Sequence, residues 1–479
     1  MRATIVVRYI GLILLICAGM MVASALVDLF YEQDAFASLI ASALILASFG
    51  AFPMVFVPRA KQLTIRENLA IVSGGWFVVG FAGSLPYLLW GHPFTAANAI
   101  FESYSGFTTT GSTILLSIET LPKGLLFWRS ATHWIGGNGI VLLALAILPG
   151  LTPIGHSLLK SEYSSLGTTP NIPRASEIAR ILLFVYCGLT LAETVALLIA
   201  GLPLFDSVTT AFATIATGGF SVRDASIASY KSVAVEMIVL LFMILAGTNF
   251  AFLLGRFRPR TPKRAGTTVA LTYLGGLVAG TALVTINLVH SSHSSVWQAL
   301  RYASFQVASV GTSSGFATAD SAVWPALSQS LLVTFALVGA SAGSTSGGIK
   351  VDRIVLFAKL LRHRFFLMLH PEGLRSIKLD GRSIEIGIAQ DAMLFIAAYL
   401  GIVALGSLLV ASTGVPVLES FTGTVACMGN IGPGLGEVGS MGNFAALPDI
   451  AKYVLCAVMV IGRIEIFGAL LLFTRKFWR

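Results

Sequence analysis

Apolar windows about 20 residues long, the length needed to cross the hydrocarbon core of a bilayer, recur from one end of this 479-residue chain to the other. They leave no room for a large soluble domain. Hydrophobic residues make up 56% of the chain and charged residues only 11%, against about a quarter charged in soluble domains. The chain is therefore read as an all-α integral membrane protein. By apolar length, ten spans are expected near 10–27, 36–57, 68–90, 125–149, 177–200, 233–255, 268–290, 327–362, 390–411 and 451–474. The first follows Arg2 and Arg8 as a signal peptide would. Asp28, Glu32 and Asp34 come next with no convincing small-residue cleavage site, so a retained helix is expected.

With the N-terminus placed in the cytoplasm, the inner loops and the C-terminal tail carry 24 of the 31 Lys and Arg residues. They include "RFRPRTPKR" (Arg256 to Arg264) and "RHR" (Arg362 to Arg364). That bias sets the expected orientation, with both termini cytoplasmic. It also accounts for the net charge of +9 without nucleic acid. Cys17, Cys187, Cys427 and Cys456 lie far apart with no CxxC pair and no histidine at ligand spacing, which argues against disulfides and a metal site.

After the first two spans, the other eight fall into four pairs, and each pair is joined by a long segment with a related motif. These are "SGFTTTGST" at Ser105, "AFATIATGGFS" at Ala211, "FQVASVGTSSGF" at Phe305 and "TVACMGNIGPG" at Thr424. Aligned on Gly111, Gly218, Gly315 and Gly432, they are separated by 107, 97 and 117 residues. This spacing is that of a unit repeated four times. Each unit reads helix, half-helix and loop, helix. Small residues in membrane segments most often serve close helix packing, but a packing motif has no reason to recur at the same place in four pairs.

Non-helical backbone at membrane depth survives only where protein buries it or where it lines a watery cavity. Glycine opens backbone angles that let successive carbonyl oxygens face one line. Rings of such carbonyls can replace the water shell of a monovalent cation, as in potassium filters. The expected architecture is two N-terminal helices followed by four pseudo-symmetric helix–pore loop–helix repeats around a central pore. The boundaries are an N-terminal hairpin over 1–67 and repeats over 68–156, 157–264, 265–375 and 376–479.

The eighth span is too long for one crossing, and "GASAGSTSGG" (Gly339 to Gly348) should break it, since each glycine costs a helix about 1 kcal/mol relative to alanine. Arg463 lies inside the last span, where a charge is costly and usually paired or functional. Glu465, two residues on, points to another face of the helix and is a poor partner for it. Glu193 and Glu236 are other charges in or near spans. Glu102, Asp206 and Glu419 recur near the starts of three half-helices, where helix capping is the favoured role. The third half-helix breaks that pattern, with Arg301 nearby. No nucleotide-binding loop, catalytic triad or His-metal cluster is found, so an enzyme is not expected.

With these motifs, "WIGGNGIVLLALAILP" (Trp134 to Pro149), "DAS" (Asp224 to Ser226), "AGSTSGGIK" (Ala342 to Lys350) and "NIGPGLG" (Asn430 to Gly436), the chain resembles the Trk/Ktr/HKT superfamily of potassium transport proteins, in its bacterial TrkH/TrkG type. The resemblance spans nearly the whole chain. It implies potassium as the transported ion, with no organic cofactor. The filter residues it implies are Thr109, Thr110 and Gly111; Ala216, Thr217 and Gly218; Ser313, Ser314 and Gly315; and Asn430, Ile431 and Gly432. It makes the glycine-rich run a gate, with Gly343, Ser344, Thr345, Ser346, Gly347 and Gly348 hindering the ion path. Arg463 would then bond loop carbonyls and raise an electrostatic barrier. It further implies a homodimer in the lipid of the bacterial inner membrane, working with a cytosolic TrkA-like nucleotide-binding regulatory subunit. The chain departs from the family in Asn138, which replaces a methionine, and in the paired serines of the third strand; both bear on selectivity. A sodium- or proton-coupled symporter is the alternative reading.

Overall fold

The computed structural model describes residues 1–60, 63–91, 93–147, 175–255, 266–292, 295–373, 376–380, 382–472 and 474. The basic segment Arg256 to Arg264, most of the loop before 175 and the side chain of Asn138 lie outside the described residues.

Helices α1 (Ala3–Phe30) and α2 (Phe36–Phe56) form the leading hairpin. They approach closely because Gly11 meets Gly50: a Cβ on Gly11 would lie 2.7 Å from the Gly50 carbonyl oxygen. Arg8 turns to the end of α2 and donates to the carbonyls of Met54 (2.7 Å) and Val57, so its charge caps carbonyls that have no partner within the helix. Asp28 and Gln33 accept the N–H groups of Gly124 (3.1 Å) and Lys123, which ties this hairpin to the rest of the chain.

A recurring order of elements follows. Helices α3 (Ile65–Ala82) and α4 (Leu85–Trp90), half-helix α5 (Ala96–Phe107) and α6 (Lys123–Ile147) come first. Then come α7 (Ala175–Ile199), half-helix α8 (Leu204–Ile215), and α9 (Val233–Ala246) with α10 (Phe250–Gly255). The third set is α11 (Thr267–Ser292), half-helix α12 (Val296–Gly311), and α13 (Ala326–Val338) with α14 (Val351–Leu369). The fourth is α15 (Ile386–Ala411), half-helix α16 (Val417–Met428), and α17 (Asp449–Arg463) with α18 (Phe467–Leu472).

Among the described residues, six helical stretches are long and apolar enough to cross a membrane: Ala3–Phe30, Phe36–Phe56, Arg66–Trp90, Leu182–Ile199, Thr267–Ser291 and Ile386–Ala411. Their outward faces are apolar too, with Phe49, Leu191, Ile199, Val278 and Leu408 exposed, as expected of helices that meet lipid. The closing helices of the last three sets are interrupted, at 247–249, 339–350 and 464–466. The long eighth span is thus two helices and a loop.

The half-helices start for local reasons. Thr95 and Ser295 accept the N–H groups of Asn98 and Gln298 (both 3.3 Å), while Pro203 and Pro416 precede α8 and α16. One element departs from an all-helical reading: a two-stranded antiparallel hairpin, β1 (Ile377–Leu379) with β2 (Arg382–Ile384). Asp380, just after β1, has left-handed backbone with φ of 50°. Asp380 accepts the N–H groups of Gly266 (2.7 Å) and Thr268 (3.0 Å), and so caps the start of α11.

Candidate ion-conduction site

All four half-helices end in the same way. Thr109, Thr217, Ser313 and Asn430, each two residues past a half-helix, adopt left-handed backbone with φ of 55°, 51°, 58° and 50°. The next N–H groups, of Thr110, Gly218, Ser314 and Ile431, donate five residues back to the carbonyls of Ser105, Ala213, Ser309 and Ala426 (2.8–2.9 Å). This is a helix-terminating turn that satisfies orphan carbonyls and leads into a short non-helical segment, called a strand below. The negative end of each half-helix dipole, about half an elementary charge, therefore adjoins a strand.

Four glycines then lock the strands together. Gly111, Gly219, Gly315 and Gly432 have φ of 84°, 78°, 76° and 100°. A Cβ on Gly111 would strike the carbonyl oxygen of Gly218, one on Gly219 that of Ser314, and one on Gly315 that of Ile431. A Cβ on Gly432 would lie 2.8 Å from the carbonyl oxygen of Thr110, which closes the circuit. Each strand leaves space for the carbonyl that precedes the glycine of the next. The oxygens of Thr110, Gly218, Ser314 and Ile431 therefore form one level of a ring.

This circuit corrects one sequence expectation. In the second strand the partner of Gly111 is Gly219, and Gly218 takes the place of Thr110. The triplet matching Thr109, Thr110 and Gly111 is Thr217, Gly218 and Gly219, with Ala216 one step earlier, in the position of Thr108. Two adjacent glycines look alike in a sequence; only Gly219 has the positive φ. In the other three segments the glycine that meets a neighbouring carbonyl is the one on which the motifs were aligned, Gly111, Gly315 and Gly432.

The interrupted segment 339–350 lies against the beginnings of these strands. The Gly347 N–H donates to Ser313 Oγ (2.9 Å), and a Cβ on Gly347 would strike the Gly429 carbonyl oxygen. Thr345 Oγ1 donates to the carbonyl of Ile215, the last residue of α8 (3.0 Å). Ser344 Oγ donates to the Ser341 carbonyl (2.6 Å), and the Ser346 hydroxyl accepts the Ala340 N–H (3.3 Å). Gly343 and Gly348 have φ of 75° and 84°. Asn249 and Asp352 hold the Ala342 carbonyl and N–H, each at 2.6 Å.

Arg463 reaches this loop. Its Nη1 donates to the Thr345 carbonyl (2.8 Å), and its Nη2 donates to the carbonyls of Gly136 (2.9 Å) and Gly137 (2.8 Å) on α6. One guanidinium thus joins α17, the loop and α6. Glu465 lies in the interruption after α17, with φ of 57°, and pairs instead with Lys350 (2.6 Å) and Arg353 (2.7 Å).

Comparison with known proteins shows the family. The TrkH family model, described as "Cation transport protein", matches residues 36–266 and 265–479. The chain belongs to the TrkH family. It is 36% identical over 482 residues to the Trk system potassium uptake protein TrkH of Escherichia coli (strain K12), covering 99% of each chain. It is 34% identical to the protein of the same name in Halomonas elongata, over 100% of each. The crystal structure of the potassium transporter TrkH from Vibrio parahaemolyticus matches its fold with a TM-score of 0.89 at 34% identity, over 100% of both chains. TrkH proteins are transport proteins and not enzymes.

Within this TrkH-family chain, several supporting residues escaped the sequence reading or take other roles. Glu102 is not a capping residue: it lies in the second half of α5, fully buried, and pairs with buried Arg129 at 2.8 Å. It also accepts the Thr113 hydroxyl (3.0 Å) and the Ile114 N–H (3.0 Å) just beyond the first strand. Asp206 does lie in the first turn of its half-helix, where it pairs with Arg223 at 2.8 Å; Glu419 lies in the first turn of α16. Arg301 pairs with Glu236 at 2.6 Å, which explains both charges.

His133, one helical turn from Arg129, was not singled out from the sequence because a lone buried histidine has no distinguishing pattern. Asp224 of "DAS" accepts the N–H of Ile118 and the hydroxyl of Ser117 (3.2 Å), fastening the segment after the first strand to the second. The Phe444 N–H donates to the Thr113 carbonyl (2.8 Å), joining the fourth to the first.

Proposed function

We propose that this protein is the potassium-conducting membrane subunit of a Trk-type potassium uptake system in the bacterial inner membrane, with both termini cytoplasmic. The closed circuit of four glycines and four carbonyl oxygens carries this reading. It supplies dipoles at equal register around one axis and no titrating group, which suits a dehydrated monovalent cation that must bind and leave. The relatives named potassium uptake proteins support potassium as the ion. The proposed ligands are backbone oxygens of Thr109, Thr110, Gly111, Thr217, Gly218, Gly219, Ser313, Ser314, Gly315, Asn430, Ile431 and Gly432.

In the same reading the four sets of elements are the repeats bounded near 68–156, 157–264, 265–375 and 376–479. Residues 343–348 form the gate, and Arg463 holds it while placing a positive charge on the ion path. A homodimer and a cytosolic TrkA-like nucleotide-binding subunit complete the system. Sodium- or proton-coupled symport is the second reading; what favours it is Glu193, a fully buried carboxylate within α7 against Thr214 of α8. The deciding experiment is growth at low potassium of a bacterium lacking its own potassium uptake, with rubidium uptake measured with and without sodium. Rescue independent of sodium and of the proton gradient supports gated conduction; dependence on either supports symport. Failure to rescue, with the protein inserted and its regulatory subunit supplied, overturns the proposal.

A further inference from the structure

The junction between the first and second strands is built differently from the other three. Helix α6 sets Arg129 and His133 four residues apart, hence on one face. His133 Nδ1 lies 2.7 Å from the carbonyl oxygen of Gly106 in the last turn of α5, and the N–H of Phe220, the residue after Gly219, donates to His133 Nε2 at 3.1 Å. Nε2 accepts and therefore carries no hydrogen, so Nδ1 carries it and donates to Gly106. The imidazole stacks on the Phe220 ring with centroids 4.1 Å apart and planes 18° apart. The Arg129 guanidinium lies 3.9 Å from the same ring centroid and donates to the Ser221 carbonyl (3.0 Å). His133 also fills the space beside Gly218: a Cβ there would be 2.8 Å from Nε2.

Among the described residues the side chains that bridge the other junctions are rotatable groups, beside backbone bonds from the Ala228 N–H to Ala317 (3.3 Å) and from the Phe444 N–H to Thr113 (2.8 Å). Second to third, Ser226 Oγ accepts the Ala317 N–H (3.2 Å). Third to fourth, Ser440 Oγ accepts the Ser321 N–H (2.9 Å). Fourth to first, Asn430 Nδ2 donates to Thr110 Oγ1 (3.0 Å) and Ser112 Oγ to the Gly432 carbonyl (2.9 Å). Hydroxyls and amides swing on single bonds, whereas an imidazole holds its two nitrogens at a fixed separation. In the snug-fit account of selectivity, a carbonyl ring favours a larger cation over a smaller one when its oxygens are kept from closing around the smaller.

We propose that His133 is a positioning residue that sets the spacing of the first two strands and thereby favours potassium over sodium. It acts through the backbone of Gly106, Gly218 and Phe220 without touching the ion. This inference rests on the four-strand ring being the conduction filter.

The test uses the full-length protein in liposomes, with rubidium and sodium uptake measured separately. For His133→Leu, of similar size but with no ring nitrogens, the rubidium-to-sodium ratio is expected to fall about tenfold, through a rise in sodium uptake. His133→Gln, which offers one donor and one acceptor, is expected to recover most of that ratio; a buried residue that served only packing would not distinguish the two. An unchanged ratio in His133→Leu overturns the proposal, as does equal loss in both variants. Should His133→Leu not insert, Phe220→Leu decides, since it keeps the backbone N–H and removes the ring stack. A fall of about threefold is then expected, and an unchanged ratio overturns the proposal. A wild-type protein with no preference for rubidium overturns the filter reading itself, a separate outcome.

Discussion

The ring of strands and the loop at 339–350 are both irregular backbone rich in glycine, yet they differ in the contacts that dominate each. In the ring, backbone meets backbone: each glycine admits a neighbour's carbonyl, and a half-helix end fixes the start of each strand. In the loop, side chains from other elements take the larger part, through Arg463 on Thr345, Asn249 and Asp352 on Ala342, and Ser313 on Gly347, beside backbone bonds from the Phe250 N–H to Gly343 (3.1 Å) and from the Ser341 N–H to Gly247 (3.2 Å). Contacts of the first kind are released only by moving backbone. Contacts of the second kind are released when a side chain turns. The proposed filter and the proposed gate call for that contrast.

The strongest way to break it is at Gly219. Gly219→Ala sets a side chain against the Ser314 carbonyl at a positive φ, and abolished rubidium uptake with the protein still in the membrane is expected. Wild-type uptake would return the register to Gly218. Next, Glu102→Ala leaves Arg129 buried and unpaired, at a cost of about 3–5 kcal/mol; the thermal midpoint of the detergent-solubilised protein should fall accordingly, and an unchanged midpoint would mean the pair does not brace the ring. On the loop side, Arg463→Gln removes the charge and the bonds to Thr345, Gly136 and Gly137. Basal flux should rise about tenfold, equal to about 1.4 kcal/mol, while loss of protein with unchanged flux per molecule would make Arg463 purely structural. The smallest effect is expected from Thr108→Val, which removes the hydroxyl contact to Thr110 Oγ1 (2.7 Å). About 1 kcal/mol of stability should be lost with conduction retained, because the proposed ligands are backbone oxygens; lost conduction would give the hydroxyls a direct part.

Much of this was legible from local pattern. Apolar runs mark the crossings because the bilayer core demands about 20 apolar residues for each one, and the glycine run from Gly339 to Gly348 marks the interrupted helix because glycine weakens helices wherever it occurs. Arg463 stood out because a charge inside a span needs a reason. The register of the second strand did not show, since Gly218 and Gly219 differ only in the φ that the neighbouring Ser314 carbonyl demands. Glu102 read as a cap because its partner Arg129 is 27 residues away and its burial depends on α6 packing behind the strand.

By itself, then, the sequence determined the membrane class, the fourfold recurrence of half-helix and glycine-ended strand, and the place where the eighth span breaks. Those depend on residue type and spacing within single segments. Only the tertiary structure decided which carbonyl meets which glycine, that Arg463 joins the loop to Gly136 and Gly137, and that His133 bridges two strands. Those contacts join residues that are up to 327 positions apart, and no local preference encodes a distance that exists only once four segments close around one axis.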